Sequence, residues 1–126
     1  MNIDTTDYPL VRMDNTPENS IPIDDLLDVF SALLARGKPF VFIADMLPDR
    51  KNTNIEYGHK LTRWMKENKE KLSHLVKGHI QVIENTELHL LPPSFAVTFA
   101  RFWGYPMFIV SSKEDAHKKA QSLLES

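Results

Sequence analysis

Three of the four glycines separate a stretch of helical periodicity from a short apolar run, and this alternation constrains the fold more than any other feature. Gly37, Gly78 and Gly104 each follow an amphipathic stretch and are closely followed by β-branched and aromatic residues. A glycine at this position commonly ends a helix by adopting the left-handed conformation. The pattern therefore predicts helices that end near these glycines and strands that begin after them.

Four runs have the length and composition of β-strands. The first contains Pro9 and alternates only in part, which favours an edge strand because proline donates no hydrogen bond to a sheet. The unbroken apolar runs Phe40–Ala44 and Met107–Val110 favour central strands that are covered on both faces. The predicted strands are Tyr8–Met13, Pro39–Asp45, His79–Ile83 and Tyr105–Val110.

Four stretches have apolar residues at helical spacing. The first follows Pro22 and places Asp24 and Asp25 in its first turn, where acidic residues interact favourably with the helix dipole. The second starts after Asn54, a good N-cap residue, and the last starts after Ser111 or Ser112. The apolar stripes of the first, second and fourth predicted helices cover residues 23–34, 57–75 and 113–124. The third predicted helix follows the Pro92–Pro93 pair and runs to about Trp103.

The element order β-α-β-α-β-α-β-α predicts a single α/β domain with a roughly four-stranded, mostly parallel sheet flanked by helices. Strands separated by helices are joined by crossover connections, which give parallel neighbours. A chain of 126 residues matches one domain and can bury a core without disulfides or metals. We assign the domain to residues 8–126 and expect residues 1–7 to be flexible.

The composition argues against several kinds of site and location. The chain has no cysteine, which excludes disulfides, zinc–thiolate sites, iron–sulfur clusters and a cysteine nucleophile. Its net charge of −2 argues against dedicated binding of nucleic acid. No apolar run of about 18 residues is present, and the N-terminus MNIDTTDYP lacks the features of a signal peptide. We therefore expect a cytoplasmic protein without integral membrane association.

Charge is distributed unevenly along the chain. Residues 1–28 contain seven acidic residues and one basic residue, whereas residues 54–77 contain six basic and three acidic residues. Such an asymmetry can steer a charged partner. The favoured interpretation is a solvated helix face on which opposite charges lie one turn apart.

Asp45 directly follows the apolar run Phe40–Ala44 and opens a polar loop without glycine. Ligands of open α/β sheets bind beyond the carboxyl ends of the strands, which makes Asp45 a candidate functional carboxylate. The favoured alternative is that Asp45 caps the loop or the next helix by accepting backbone hydrogen bonds. An enzyme at this position would use Asp45 with Arg50 or with His59 as general base. Without a glycine-rich loop, nucleotide binding is not expected.

The histidines form no metal or catalytic motif. They show no metal-ligand spacing and no close cluster with acidic residues, and the serines form no GxSxG motif. No cofactor or metal ion is therefore expected. The histidines are His59, His74, His79, His89 and His117.

The third predicted helix is apolar on all sides. Such a helix needs cover on more than one side, and the sheet of a small domain covers only one. Three alternatives account for the sides that the sheet leaves uncovered. They pack against the second and fourth helices, they contact a partner chain such as a second copy, or they line a cavity for an apolar ligand. The aromatic residues of this helix are Phe95, Phe99, Phe102 and Trp103, and its other apolar residues are Ala96, Val97 and Ala100.

Three segments together show a family pattern: LLARGKPFVFIADM, which joins a helix to a strand ending in Asp45, the helical RWMKENKEKL, and the closing FIVSSKEDAHKKAQSLL. The pattern resembles small bacterial domains of the SpoIIAA-like, STAS/SEC14-related type and covers most of residues 8–124. The resemblance implies the same α/β fold and a non-enzymatic module.

The resemblance also implies two modes of binding. In the branch that antagonises anti-sigma factors, a Ser or Thr soon after the Asp-ended strand is phosphorylated and switches partner binding. No Asp-Ser-Ser-Gly motif is present in this chain and Thr53 is the only hydroxyl residue in the loop, so this switch is not expected. In the lipid-binding branch, an apolar cavity lies between helices and sheet, and the aromatic residues of the third helix could line one.

These observations favour three functions, in decreasing order. The first is a non-enzymatic interaction module, regulatory or scaffolding, that forms a homodimer through the aromatic third helix. The second is binding of an apolar small molecule or lipid between that helix and the sheet. The third is a small enzyme that uses Asp45 and His59.

Overall fold

The computed structural model describes residues 2–14, 21–44, 55–83 and 94–125. These residues form five strands and five helices, which confirms the α/β class. The elements are β1 (Asn2–Asp4), β2 (Leu10–Asp14), α1 (Ile23–Ala35), β3 (Phe40–Ala44), α2 (Ile55–Glu67), α3 (Lys69–Leu75), β4 (Val76–Val82), α4 (Phe95–Trp103), β5 (Met107–Val110) and α5 (Lys113–Glu125).

The strands form one sheet in the order of the sequence, β1-β2-β3-β4-β5. β2 to β5 are parallel, and β1 pairs antiparallel with β2. The prediction of a mostly parallel sheet is confirmed, and β1 adds a fifth strand to the four expected. β1 lies within the segment that we expected to be flexible, and its Ile3 packs against the main apolar cluster.

Two predicted strand positions are wrong. β2 lies between β1 and β3 instead of at an edge. Pro9 precedes β2 and contributes only its carbonyl, which accepts a hydrogen bond from Val41 N–H at 3.0 Å. β5 lies at an edge instead of in the centre, and its apolar composition reflects contact with both α4 and α5. The central position of Phe40–Ala44 is confirmed, because all five residues of β3 are buried between two parallel neighbours.

Helices cover the two faces of the sheet unequally. On one face, which we call the aromatic face, α1, α2, α3 and α4 pack against alternate strand residues such as Val11 and Phe42. On the other, the α5 face, Ala116 and Ala120 of α5 pack against Val41, Ile43 and Ile80. In the described part of the chain, α5 is the one helix that belongs to this second cluster.

The predicted glycine conformations are confirmed at two positions and wrong at the third. Gly37 and Gly104 have φ values of 65° and 88°, in the left-handed region that ends α1 and α4. Gly78 instead lies inside β4, because α3 passes directly into the strand through an extended Val76. A Cβ at Gly78 would lie 2.9 Å from the Phe108 ring, so glycine there lets this ring pack closely on β4.

The second predicted helix is divided in two at Asn68. The Asn68 backbone N–H and side-chain amide both donate to the Trp64 carbonyl, at 3.0 and 2.9 Å, and thereby close α2. Asn68 O then accepts from Leu72 N–H at 2.9 Å as α3 begins. Asparagine competes in this way for helical hydrogen bonds, which is why it favours helix ends.

Candidate functional site

The two large apolar side chains that are exposed among the described residues belong to adjoining elements. Val97 on α4 is 58% exposed and Ile109 on β5 is 37% exposed. α4 packs on β5, which forms one edge of the sheet. We call α4 together with β5 the α4–β5 surface, defined by residues Phe95–Trp103 and Met107–Val110.

The backbone of β5 directs its hydrogen-bonding groups alternately to β4 and away from it. His79 N–H donates to Pro106 O at 2.9 Å, and Ile83 N–H donates to Val110 O at 2.8 Å. Because the groups of alternate residues in a strand point to the same side, residues 106, 108 and 110 face β4. The N–H and C=O groups of Met107 and Ile109 therefore point outward from the sheet.

A buried polar pair lies on β4 beneath this surface. His79 and Gln81 are 6% and 2% exposed, and both side chains lie on the aromatic face. Gln81 Nε2 donates to Ala44 O at 3.2 Å, and Gln81 Oε1 lies 3.2 Å from His79 Nε2. The pair thus connects the ends of the two central strands, β3 and β4, directly before Asp45.

The hydrogen bonds of this pair determine the tautomer of His79. Ala44 O can only accept, so the Gln81 amide nitrogen faces it and the amide oxygen faces the imidazole. His79 Nε2 must then carry the proton that it donates to Gln81. His79 Nδ1 is left as a buried acceptor without a hydrogen-bond partner among the described residues.

Aromatic rings enclose His79 and join α4 to the sheet. The Phe99 ring of α4 lies 4.9 Å from the imidazole, and the Phe42 ring of β3 lies 6.5 Å from it. Tyr105 closes the group, with ring centroids 5.7 Å from Phe99 and 6.1 Å from Phe42. Contacts of this kind stabilise beyond the area that they bury, so Phe99 anchors α4 on the aromatic face.

Burial sets the charge state of the two titratable groups in this cluster. Burial lowers the pKa of His79 to about 4, while the hydrogen bond to Gln81 acts in the opposite direction. Burial also raises the pKa of the Tyr105 hydroxyl. Both groups are therefore neutral near pH 7, because a low-dielectric environment disfavours the charged form.

Two of the residues predicted from sequence, His59 and Phe99, have side chains that the structure describes. Asp45, Arg50 and Thr53 lie outside the described residues. His59 is exposed on α2. Phe99 is partly buried against the main apolar cluster. The α4 backbone carries the other three predicted residues, whose side chains lie outside the description: Phe95, Phe102 and Trp103.

Sequence reasoning missed the polar pair and Tyr105. One signal was present in β4, where His79 and Gln81 alternate with Ile80 and Val82 in a strand of period two. Such alternation normally marks a solvated face. Here the same face is covered by α4, which no local pattern in β4 reveals.

Three comparisons of the whole chain, with protein-family models, with curated proteins and with solved structures, find no match. Within the described ranges, no group of three or more histidine and acidic side chains is placed to hold a metal ion. No helix in those ranges combines the length and apolar character needed to cross a membrane.

Proposed function

We propose that this protein is a non-enzymatic interaction module of the cytoplasm that self-associates through the α4–β5 surface. The proposal depends on one observation: the exposed apolar side chains Val97 and Ile109 belong to two elements that pack on each other, α4 and the edge strand β5. Single exposed apolar residues are common on protein surfaces. Here Ile109 belongs to β5, and the helix that carries Val97 packs on β5. The outward-facing backbone groups of β5 have no strand partner in the described part of the chain, which favours pairing with another chain.

The resemblance to SpoIIAA-like domains supports a binding role over catalysis. The mostly parallel sheet flanked by helices is that of a general α/β domain. No charged side chain lies beside the His79–Gln81 pair in the described contacts, so no nucleophile, base and orienting group come together there. His59, the base of the enzymatic alternative, lies exposed on α2.

The packing beneath α4 gives less support to an apolar ligand. Phe99 lies 4.9 Å from His79 and 5.7 Å from Tyr105 between ring centroids, so protein side chains fill the space between this part of α4 and the sheet. A ligand at this position would have to displace Phe99. A second copy on the outer side of α4 would leave these contacts intact.

Native mass spectrometry of the wild-type chain and two variants tests the proposal. Val97→Asp places a charge on the exposed apolar surface and should raise the dimer dissociation constant about tenfold or more. Ala32→Asp introduces the same charge at an exposed position of α1 and should leave the dimer intact. A wild-type chain that stays monomeric over a wide concentration range would contradict self-association, and a removable apolar mass on that monomer would favour the ligand alternative.

A further inference from the structure

We propose that the second copy pairs with β5 edge to edge and antiparallel, around a two-fold axis at Phe108. This inference rests on the proposed function and specifies the geometry of the contact. The result is a continuous ten-stranded sheet made of two five-stranded sheets. It follows from three features of β5: its outward backbone groups, the absence of charged residues within the strand and its flanking residues, and the position of Ile109.

The outward groups of β5 are complementary to themselves. Met107 and Ile109 each direct one N–H and one C=O away from β4, as the bonds from His79 N–H to Pro106 O and from Ile83 N–H to Val110 O require. In an antiparallel pair centred on Phe108, Met107 of each copy lies opposite Ile109 of the other. Each of these pairs exchanges two hydrogen bonds, so all the outward groups of the two residues gain partners.

Charge also favours a second copy of this chain over a charged peptide. Residues 104–112, GYPMFIVSS, contain no charged side chain, and Phe108 is the central residue of this segment. Two copies paired along this segment therefore place no like charges opposite each other within the two strands. Edge strands that avoid such pairing usually carry lysine or an inward-pointing charge, and β5 has neither.

The same geometry covers the exposed apolar side chain of β5. Ile109 lies on the aromatic face and would pack beside Met107 of the second copy. A two-fold axis perpendicular to the sheet places both α4 helices on one face, on either side of the new seam. On the α5 face, the two Phe108 rings meet in a close pair, each beneath its own Lys119 ammonium at 4.2 Å.

Single-cysteine variants test this register, because the chain has no cysteine of its own. In the proposed pairing, the two Phe108 Cα atoms lie about 4.5 Å apart, within the range that a disulfide bridges. The two Ile109 Cα atoms lie about 8 Å apart, two residues along the strands, which is too far. Phe108→Cys should therefore form a disulfide-linked dimer under mild oxidation, and Ile109→Cys should not.

The outcomes separate this inference from the proposed function. A dimer in which Ile109→Cys links, or in which neither variant links, overturns the Phe108 register and leaves self-association standing. A wild-type chain that is monomeric overturns both. Circular dichroism of each variant shows whether it is folded before its linkage is interpreted.

Amide hydrogen exchange of the unmodified chain gives a second test that does not depend on folding of the variants. The amides of Phe108 and Val110 face β4 and should be protected in monomer and dimer alike. The amides of Met107 and Ile109 should exchange rapidly in dilute protein and at least tenfold more slowly in concentrated protein. A dimer in which these two amides exchange at an unchanged rate would overturn edge pairing.

Discussion

The two faces of the sheet are packed with different types of side chain. On the aromatic face, rings interlock at centroid distances of 5.3 Å for Phe40–Phe42, 5.8 Å for Phe30–Phe42 and 5.5 Å for Phe30–Trp64. On the α5 face, Ala116 and Ala120 are fully buried against aliphatic strand residues. Small residues let a single helix lie close to the sheet, whereas rings hold several helices at once.

The two faces also differ in whether they contain buried polar side chains. The buried polar residues of the described chain, His79 and Gln81, both lie on the aromatic face. A ring such as Phe99 can cover the imidazole while its partner Gln81 satisfies one nitrogen. The α5 face offers no comparable buried group in the described residues. We therefore expect changes of pH and removal of rings to act on the aromatic face, and added side-chain volume to be poorly tolerated on the closely packed α5 face.

Of the substitutions predicted below, truncation of Phe42 should lower the free energy of unfolding the most. Phe42 is 1% exposed and contacts Phe30, Phe40 and Tyr105. Phe42→Ala should lower the free energy of unfolding by about 3–5 kcal/mol, from lost transfer energy and the cavity left behind. On the α5 face, Val41→Ala removes less and should cost about 2 kcal/mol. Urea unfolding of both variants measures this, and equal losses would contradict the view that interlocked rings dominate the core.

Much of this core was predictable from periodicity. The apolar stripe of α1 and the apolar run of β3 require burial whatever they contact, so Phe30 and Phe42 could be assigned to the core from sequence. The order of the strands was not predictable in the same way. The apolar composition of a strand such as β5 indicates that helices cover both of its faces. It does not indicate whether one or two strands flank it.

Acid should destabilise the aromatic face through His79. Its pKa is about 4 in the folded protein and about 6.5 in the unfolded chain. The folded state therefore binds the proton less readily, so stability is complete above about pH 6.5 and declines as pH falls towards 4. The loss attributable to His79 should reach about 3 kcal/mol near pH 4, since each unit of pKa difference is worth about 1.4 kcal/mol.

Urea unfolding between pH 7 and pH 4 measures this decline. The His79→Phe variant should lose much of the pH dependence, because it removes the group that must take up the proton. His59→Gln, which changes an exposed histidine on α2, serves as the control and should keep the wild-type profile. A flat profile between pH 6.5 and 4 in the wild-type chain would show that His79 is protonated at little cost and so is not enclosed as described.

Adding a side chain at Gly78, on the α5 face, should destabilise the protein. A Cβ at this position would lie 2.9 Å from the Phe108 ring and 3.1 Å from Leu123. Gly78→Ala should therefore lower the free energy of unfolding by about 1–2 kcal/mol, because overpacking outweighs the gain from restricting a glycine. Gly58→Ala in α2, where no atom of the described residues beyond its chain neighbours and its own helix backbone lies within 4 Å of the new Cβ, should instead stabilise by up to about 1 kcal/mol.

A double variant identifies the source of the strain at Gly78. If the Phe108 ring causes it, Phe108→Val should cost less in the Gly78→Ala background than in the wild-type chain. Additive effects would place the strain elsewhere. The same ring occupies the proposed two-fold axis, so the double variant also shows whether β4–β5 packing can be altered without loss of the dimer.

The candidate site illustrates why sequence alone fell short. The apolar character of α4 was evident, and it predicted an interface, a pocket or core without deciding among them. The choice depends on long-range packing: Phe99 turns towards His79 and Tyr105, whereas Val97 faces outward. The outward pointing of Met107 and Ile109 N–H groups depends on which side of β5 pairs with β4, and no residue type encodes that choice.

The smallest expected effect concerns the end of α4, where the α4–β5 surface joins α3. Lys69 Nζ donates to Arg101 O at 3.0 Å, and its side chain crosses Gly104, whose added Cβ would lie 3.1 Å from Lys69 Cγ. An ammonium at a helix C-terminus also interacts favourably with the dipole. Lys69→Met should therefore lower the free energy of unfolding by about 0.5–1 kcal/mol, whereas the exposed Lys71→Met should change it by less. If both variants unfold at the same urea concentration, the Lys69 bond adds no measurable stability, and the left-handed Gly104 with its bond to Ala100 O suffices to end α4.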